Sequence, residues 1–288
     1  MKKSNFVTGL FVTGVAIIFM CSGCGTQNLL TKARKSGVML EYKFPESYMT
    51  YKQVQDIGQE IDAMGQLIDI DIVSNVDFQT KKNSDMGEDV KIDMKLNSIT
   101  MSVNAMGQQM NPDLAELDGK EFHMVVSKNG EEVDTHEADE IVFQTSPDEK
   151  SSLGMFFNTF FPDLPEQPVK INDTWTSVDS LSFKDGDRFT TIITNNTFTL
   201  TDFTELDGVN CAVVTSKYDG TMKGKSYSQG MELDIDGTIT GEGTWYFDFE
   251  NGCLVKDNTT GKVVGKISMA MGEMGLIRNF KNTTELIK

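Results

Sequence analysis

Proline is scarce in this chain. Six occur in 288 residues, and four of those fall between Pro147 and Pro168. The long stretches without it are free to run as central β-strand, where proline would remove a ladder donor. Histidine is scarcer still, with only His123 and His136, which leaves little for imidazole-based metal or nucleophile chemistry. Positive charge is also short. Lys and Arg total 26 against 43 Asp and Glu, a net charge of −17. A chain this acidic lacks the basic patches that a phosphate backbone requires, so nucleic acid is excluded as a partner. The four cysteines are too few to staple a fold of this size.

Long apolar runs are missing except at the start. Lys2 and Lys3 precede an uncharged apolar run from Phe6 to Met20. It is shorter than the ~20 residues a spanning helix needs and fits the core of a signal peptide. Cys21-Ser22-Gly23-Cys24-Gly25 follows. Small residues before a cysteine resemble the bacterial lipobox, in which cleavage precedes a diacylated cysteine. Cys24 is the expected lipidation site, although Cys21 stands where Leu or Val is usual. Residues 1–23 are then the signal peptide, and 24–36 the lipidated cysteine and its tether. Losing Lys2 and Lys3 takes the net charge to −19. Lipidation implies an extracytoplasmic protein whose partner is the membrane, reached through the anchor. The expected location is the outer membrane or cell surface. An extended tether would hold the body within ~40 Å of the bilayer. Lys32, Arg34 and Lys35 read as part of a solvated linker.

What fills the rest is alternation. Ile68-Asp69-Ile70-Asp71-Ile72 switches between apolar and acidic residues, and Val90 to Leu96, Ile99 to Val103 and Met231 to Ile235 follow the same period. A period of two marks strands with one buried and one wet face. Asp-Gly or Asn-Gly pairs recur at 118, 129, 185, 207, 219, 236 and 251, as hairpin turns favour. The predicted fold is mainly β, with antiparallel strands in one or two large curved sheets or an open barrel. An N-terminal β region, 37–150, and a C-terminal one, 175–288, flank a different segment, 151–174. There Ser151 to Phe161 reads SSLGMFFNTFF, predicted as a short aromatic helix stopped by Pro162. Glu116-Leu117-Asp118-Gly119, then Val125-Val126-Ser127-Lys128, is echoed by Glu205-Leu206-Asp207-Gly208, then Val214-Thr215-Ser216-Lys217. Two related halves would explain the echo, and so would independent hairpins.

The phrase Leu164-Pro165-x-x-Pro168-Val169-Lys170-x-x-Asp173-x-Trp175, with Phe247-Asp248-x-x-x-Gly252-x-Leu254, resembles a motif in an uncharacterised family of secreted β-rich bacterial lipoproteins, a domain of unknown function. Asn172 stands where that family usually has glycine. The resemblance implies a long β body behind a signal-bearing N-terminus and brings no catalytic residues.

Candidate chemistry is thin. Ala63-Met64-Gly65-Gln66 recurs as Ala105-Met106-Gly107-Gln108 and as Ala270-Met271-Gly272-Glu273. Thioethers can ligate Cu(I), but no histidine lies close in sequence to these methionines. The phrase is expected to be a strand end, where glycine bends the chain and methionine fills irregular space. Glu232-x-Asp234-x-Asp236-Gly237 imitates a calcium loop, but Gly243 occupies the position of the bidentate glutamate. Asp219 to Ser226 imitates a phosphate loop that is one residue short. No hydrolase signature occurs, so no catalytic residue, metal or cofactor is expected. With 43 acids, spacing alone does not rule out a carboxylate pair. Two ligand-facing expectations remain. Phe156, Phe157, Phe160 and Phe161 either cap an apolar cavity or plug the sheet as core. Cys211 and Cys253 either pair as a disulfide or stay two buried thiols. The expected function is a non-enzymatic envelope lipoprotein that binds or carries an apolar small molecule. The alternative is a structural protein with a filled core that binds an envelope partner.

Overall fold

A computed structural model describes residues 23–287 other than 64, 147, 148, 186, 229, 230 and 271. The apolar leader, Cys21 and Ser22 lie outside the described residues. Gly23–Ser36 form α1, so the tether is helical and rises ~21 Å rather than reaching ~40 Å. Its last turns are docked, not solvated. Ala33 is buried and Leu30 packs against the core. The Arg34 guanidinium donates to the Phe203 carbonyl and pairs with Asp202 at 3.2 Å. Gly37, at φ 77°, ends the helix, with its N–H donating to the Ala33 carbonyl.

Residues 38–45 then strap one end of the molecule. Val38 bridges to Val169. The Tyr42 amide donates to Lys128 O, the Lys43 amide to Gly252 O, and the Lys82 amide to Pro45 O. Leu40, Tyr42 and Phe44 are buried beneath these contacts.

The body is one antiparallel half-barrel sheet. Its N-terminal part comprises β1 (Met49–Ala63), β2 (Gln66–Met86), β3 (Asp89–Ala105), β4 (Gln108–Met110), β5 (Glu121–Ser127) and β6 (Glu132–Asp134). A crossover follows with α2 (His136–Glu140), β7 (Val142–Ser146), β8 (Glu149–Ser152) and α3 (Gly154–Phe157). The C-terminal part is β9 (Thr174–Asp185), β10 (Arg188–Leu206), β11 (Val209–Ser228), β12 (Met231–Asp248), β13 (Cys253–Met269) and β14 (Gly272–Ile287). The spatial order is β6-β5-β3-β2-β1-β14-β13-β12-β11-β10-β9, with β4 added to β3 and β7–β8 forming a separate hairpin. The two sequence regions are therefore halves of one sheet, joined where β1 pairs with β14.

The alternation carries through these strands. Many outward positions are polar and matched across the ladder, as in Lys217↔Glu242, Lys223↔Asp236 and Asp236↔Lys266, with Val73, Val178, Ile193 and Val264 exposed among them. Among the described residues no helix is long and apolar enough to cross a bilayer.

Four local readings change. Ala63 pairs with Gln66, and Ala105 with Gln108, so the repeated phrase closes hairpins. Met106 and Gly107, at φ 53° and 77°, make the two left-handed positions of a type I′ turn. Met106 is 70% exposed, so it fills no internal space. In the third copy the closing pair shifts to Met269 and Gly272. All three turns lie at the same end of the sheet, away from the strap.

Asp219-Gly220 and Asp236-Gly237 are not turns but lie inside β11 and β12. Their glycines are there for room. A Cβ on Gly220 would strike the Ile193 carbonyl, and one on Gly237 would come within 3.0 Å of Val263. The echo also divides: Glu116 and Leu117 sit in a 3-10 turn, whereas Glu205 and Leu206 end a strand.

The aromatic helix is shorter than its pattern, because the β7–β8 hairpin takes residues up to Ser152 and leaves one turn, Gly154–Phe157. Phe157 stands 5.0 Å from Phe78 and 5.3 Å from Phe122 between ring centroids. Phe160 meets Tyr51 at 5.6 Å, and Phe161 meets Tyr42 at 5.3 Å. The crossover thus plugs the strapped end of the half-barrel.

Candidate functional site: the inward face of the half-barrel

The inward face is the one that carries the core, and alternation extends it along every strand. From Tyr51, β1 presents Gln53, Gln55, Ile57, Gln59 and Ile61. The register places Gln53 beside Thr284, Thr284 beside Asp257, and Asp257 beside Trp245. The next row runs Ser74, Gln55, Asn282, Thr259, Gly243 and Ser216. Two adjoining rows at the centre of the sheet therefore form a polar belt directly above the aromatic plug.

The belt is part-buried and incompletely paired. Gln53 is 6% exposed and Trp245 2%. Among the described residues, Gln53 Oε1, Asn282 Oδ1 and Trp245 Nε1 have no hydrogen-bond partner. Burying such groups unsatisfied costs about 1–3 kcal/mol each. The Asp257 carboxylate accepts from Thr259 Oγ1 at 3.0 and 3.2 Å. Burial outweighs that bond and pushes its carboxyl up to about 7.

Beyond the belt, Tyr218 and Phe280 stack at 6.5 Å. They lie over Gly241 and Gly261, where a Cβ would strike the Tyr218 hydroxyl. That hydroxyl donates to Thr260 O at 3.1 Å. Towards the open end Met222, Ile239 and Val263 form a small second cluster. On β1 and β2, Ile57, Ile61, Ile68, Ile70 and Ile72 share the inward face. All five are half-buried, and none belongs to either packed cluster. Arg278 also faces inward and donates to Gln59 Oε1 at 2.9 and 2.6 Å.

The two ends of the ladder, β6 and β9, do not pair. Between them stand Glu132 of β6, Asp179 of β9 and Asp163 of the crossover. Glu132 Oε1 accepts from the Phe161 amide at 2.8 Å, and burial drives its carboxyl well above the usual range. Burial, then the charge of Asp163 and a hydrogen bond with it, raises Asp179 to about 7. Asn196 donates to Asp179 at 2.7 Å. Carboxyls in hydrogen-bond contact are closer than the ~5 Å or more that separates a glycosidase pair. The trio reads as a seam between the sheet edges.

The residues singled out in the sequence are dispersed. Phe157, Phe160 and Phe161 are buried in the plug, while Phe156 is half-buried and stacks on Phe143 at 6.4 Å. Those rings hold the crossover to the sheet, and the uncovered apolar surface lies elsewhere. Cys211 and Cys253 are separate buried thiols. Both flank Asp248 in register, two strand spacings apart, or ~9.5 Å, which is beyond disulfide reach. Burial, then the charges of Asp248 and Cys211, pushes Cys253 up to about 12. The backbone of Cys24 falls in the first turn of α1. Two shallow hollows, about 450 and 310 Å³, are not lined by the phenylalanines; the smaller holds Leu67, Asp69, Asp71 and Met106. Glu232, Asp234 and Asp236 alternate with inward Leu233 and Ile235 on β12, and Lys225 pairs with Glu232 at 2.6 Å.

The belt escapes a reading of sequence alone, although its signal is present there. Gln53, Gln55 and Gln59 occupy every second position after Tyr51, interrupted only by Ile57.

No family model matches this chain, and no curated protein does. Among solved structures, Pseudomonas aeruginosa OpdK with vanillate is similar over 85% of this chain and all of its own, at 9% identity and a TM-score of 0.23. A DUF1329 family protein from Desulfovibrio piger is similar over 80% of this chain and 83% of its own, at 9% identity and a TM-score of 0.14. At such scores the likenesses carry no argument about fold or role.

Proposed function

We propose that this chain is a non-enzymatic cell-envelope lipoprotein, anchored through Cys24, that binds or carries an apolar small molecule on the inward face of the half-barrel. The observation that supports this reading is the strip Ile57, Ile61, Ile68, Ile70 and Ile72. It continues the inward face past the plug, stays half-buried, and joins no packed cluster. Apolar surface of that kind gains about 25 cal/mol per Å² when a ligand covers it. The anchor rests on the Ser22-Gly23-Cys24 pattern, and the outer membrane or cell surface is the proposed location. The second reading is a structural lipoprotein that binds a protein partner. The densely packed plug favours it, since Phe157, Phe160 and Phe161 leave no cavity among themselves.

An environment-sensitive apolar fluorophore distinguishes the two. It should bind the chain from Gly23 to Lys288 with one saturable site. Ile61→Lys and Ile70→Lys, at half-exposed positions, should each weaken that site at least tenfold while leaving the unfolding temperature within a few degrees. Undiminished binding in both variants would remove the inward strip as the site.

A further inference from the structure

We propose that the ligand of the inward face is an amphiphile with an uncharged, hydroxyl-bearing head, and that the belt at Gln53, Asn282 and Trp245 receives that head. This inference rests on the binding role proposed above and assigns the ligand's polar end. Three buried polar atoms lack partners on one stretch of the inward face: the acceptors Gln53 Oε1 and Asn282 Oδ1 and the donor Trp245 Nε1. They lie across four consecutive strands, with Gln53 and Asn282 on adjacent rows of β1 and β14 and Trp245 on β12, beyond β13.

A ligand group that satisfies all three must both donate and accept. A head with more than one hydroxyl does both and can reach across the strands that separate these atoms. Rotating either amide exchanges acceptor for donor, and a hydroxyl serves either orientation. A carboxylate or phosphate head would only accept, and would meet two amide oxygens beside the Asp257 carboxyl. An ammonium head would only donate, leaving the indole unpaired. Arg278 is the inward cation that could draw an anionic head. It lies beyond Phe280, with its guanidinium engaged by Gln59 Oε1. The apolar part of the ligand then has a direct path, since Ile57 and Ile72 adjoin the belt rows and Ile61, Ile68 and Ile70 continue towards the open end. The head would replace the missing partners of buried polar groups, which is the contact that discriminates between ligands sharing one tail.

The test is displacement of the apolar fluorophore by three probes with the same chain: 1-monooleoylglycerol, oleate and oleylamine. The inference expects monooleoylglycerol to displace at tenfold lower concentration than either charged probe. It further expects a Gln53→Leu/Asn282→Leu chain to bind the fluorophore but lose that preference. If the double variant unfolds, Gln53→Met alone serves, with an expected threefold loss of preference. Equal displacement by all three probes would mean that the belt is served by water alone and would overturn the inference. Tightest binding of oleate would overturn it in favour of Arg278, and an unchanged preference in the variants would overturn the assignment of the belt. Absence of fluorophore binding by the unaltered chain would instead defeat the binding role itself.

Discussion

Phe157→Ala should cost about 3–5 kcal/mol of folding stability, the loss typical of truncating a fully buried aromatic. Phe157 has no solvent exposure, and its ring contacts Phe78, Phe122 and Phe160 at centroid separations of 5.0, 5.3 and 6.4 Å. Removing it loses the transfer energy of the ring and opens a void among aromatics that relax only partly. It also loosens the one segment that ties β6 to β9. Phe157→Leu, which keeps most of the volume, should cost about 1–2 kcal/mol. Urea unfolding of the two variants measures both losses. The variants also separate a plug from a ligand lid. A plug predicts that Phe157→Leu keeps fluorophore affinity, because the ring touches the core and not the ligand. A large loss of affinity with unchanged stability would return these phenylalanines to the ligand site.

Stability should fall as pH rises from about 4 to about 7 and then level off. Asp257 and Asp179 both have folded-state carboxyls raised from 3.8 to about 7, and Glu132 is raised as well. Between the two values the folded chain keeps protons that the unfolded chain has released. The folded state therefore binds more protons, and unfolding free energy declines with pH across that window. Carboxyls that are lowered, such as Glu232 and Glu273 through their lysine partners, act in the opposite sense, but below about pH 4.5. Asp257 sits in the belt with only Thr259 and a backbone amide to offset its burial. Asp257→Asn should then raise stability at pH 8 by on the order of 3 kcal/mol, leave it nearly unchanged at pH 4, and flatten the profile. Denaturant melts at half-unit steps would show this. A profile that rises from pH 4 to 7, or an Asp257→Asn chain with an unchanged slope, would contradict the assignment.

Much of the fold is legible in the sequence because it follows from strand period alone. Ile68 to Ile72, Val90 to Leu96 and Met231 to Ile235 lie in strands with the faces their alternation implies. Asp207-Gly208 and Asn251-Gly252 mark real hairpins. Asp219-Gly220 and Asp236-Gly237 mislead, since a glycine needed for close inward packing spells the same dipeptide as one needed for a turn. The aromatic segment shows a helical spacing that its packing partners shorten to one turn, because burying Phe160 and Phe161 against Tyr51 and Tyr42 outweighs local propensity. The candidate site was the least legible part. Its residues come from β1, β2 and β11 to β14, and only the pairing of the first long strand with the last brings Gln53 next to Thr284. Whether the two cysteines pair stays open in the sequence for the converse reason, since it does not reveal that β12 runs between their strands.

Native mass spectrometry tests the central claim most directly. The chain from Gly23 to Lys288, which keeps the docked α1, is purified from a bacterial periplasm without detergent, and whatever co-purifies is extracted into organic solvent. An inward face that binds an amphiphile should yield a one-to-one adduct that survives gentle ionisation and is lost in Ile61→Lys. A bare chain mass, with no uptake of added monooleoylglycerol, would contradict the claim and leave a packed scaffold whose role lies in its protein partners.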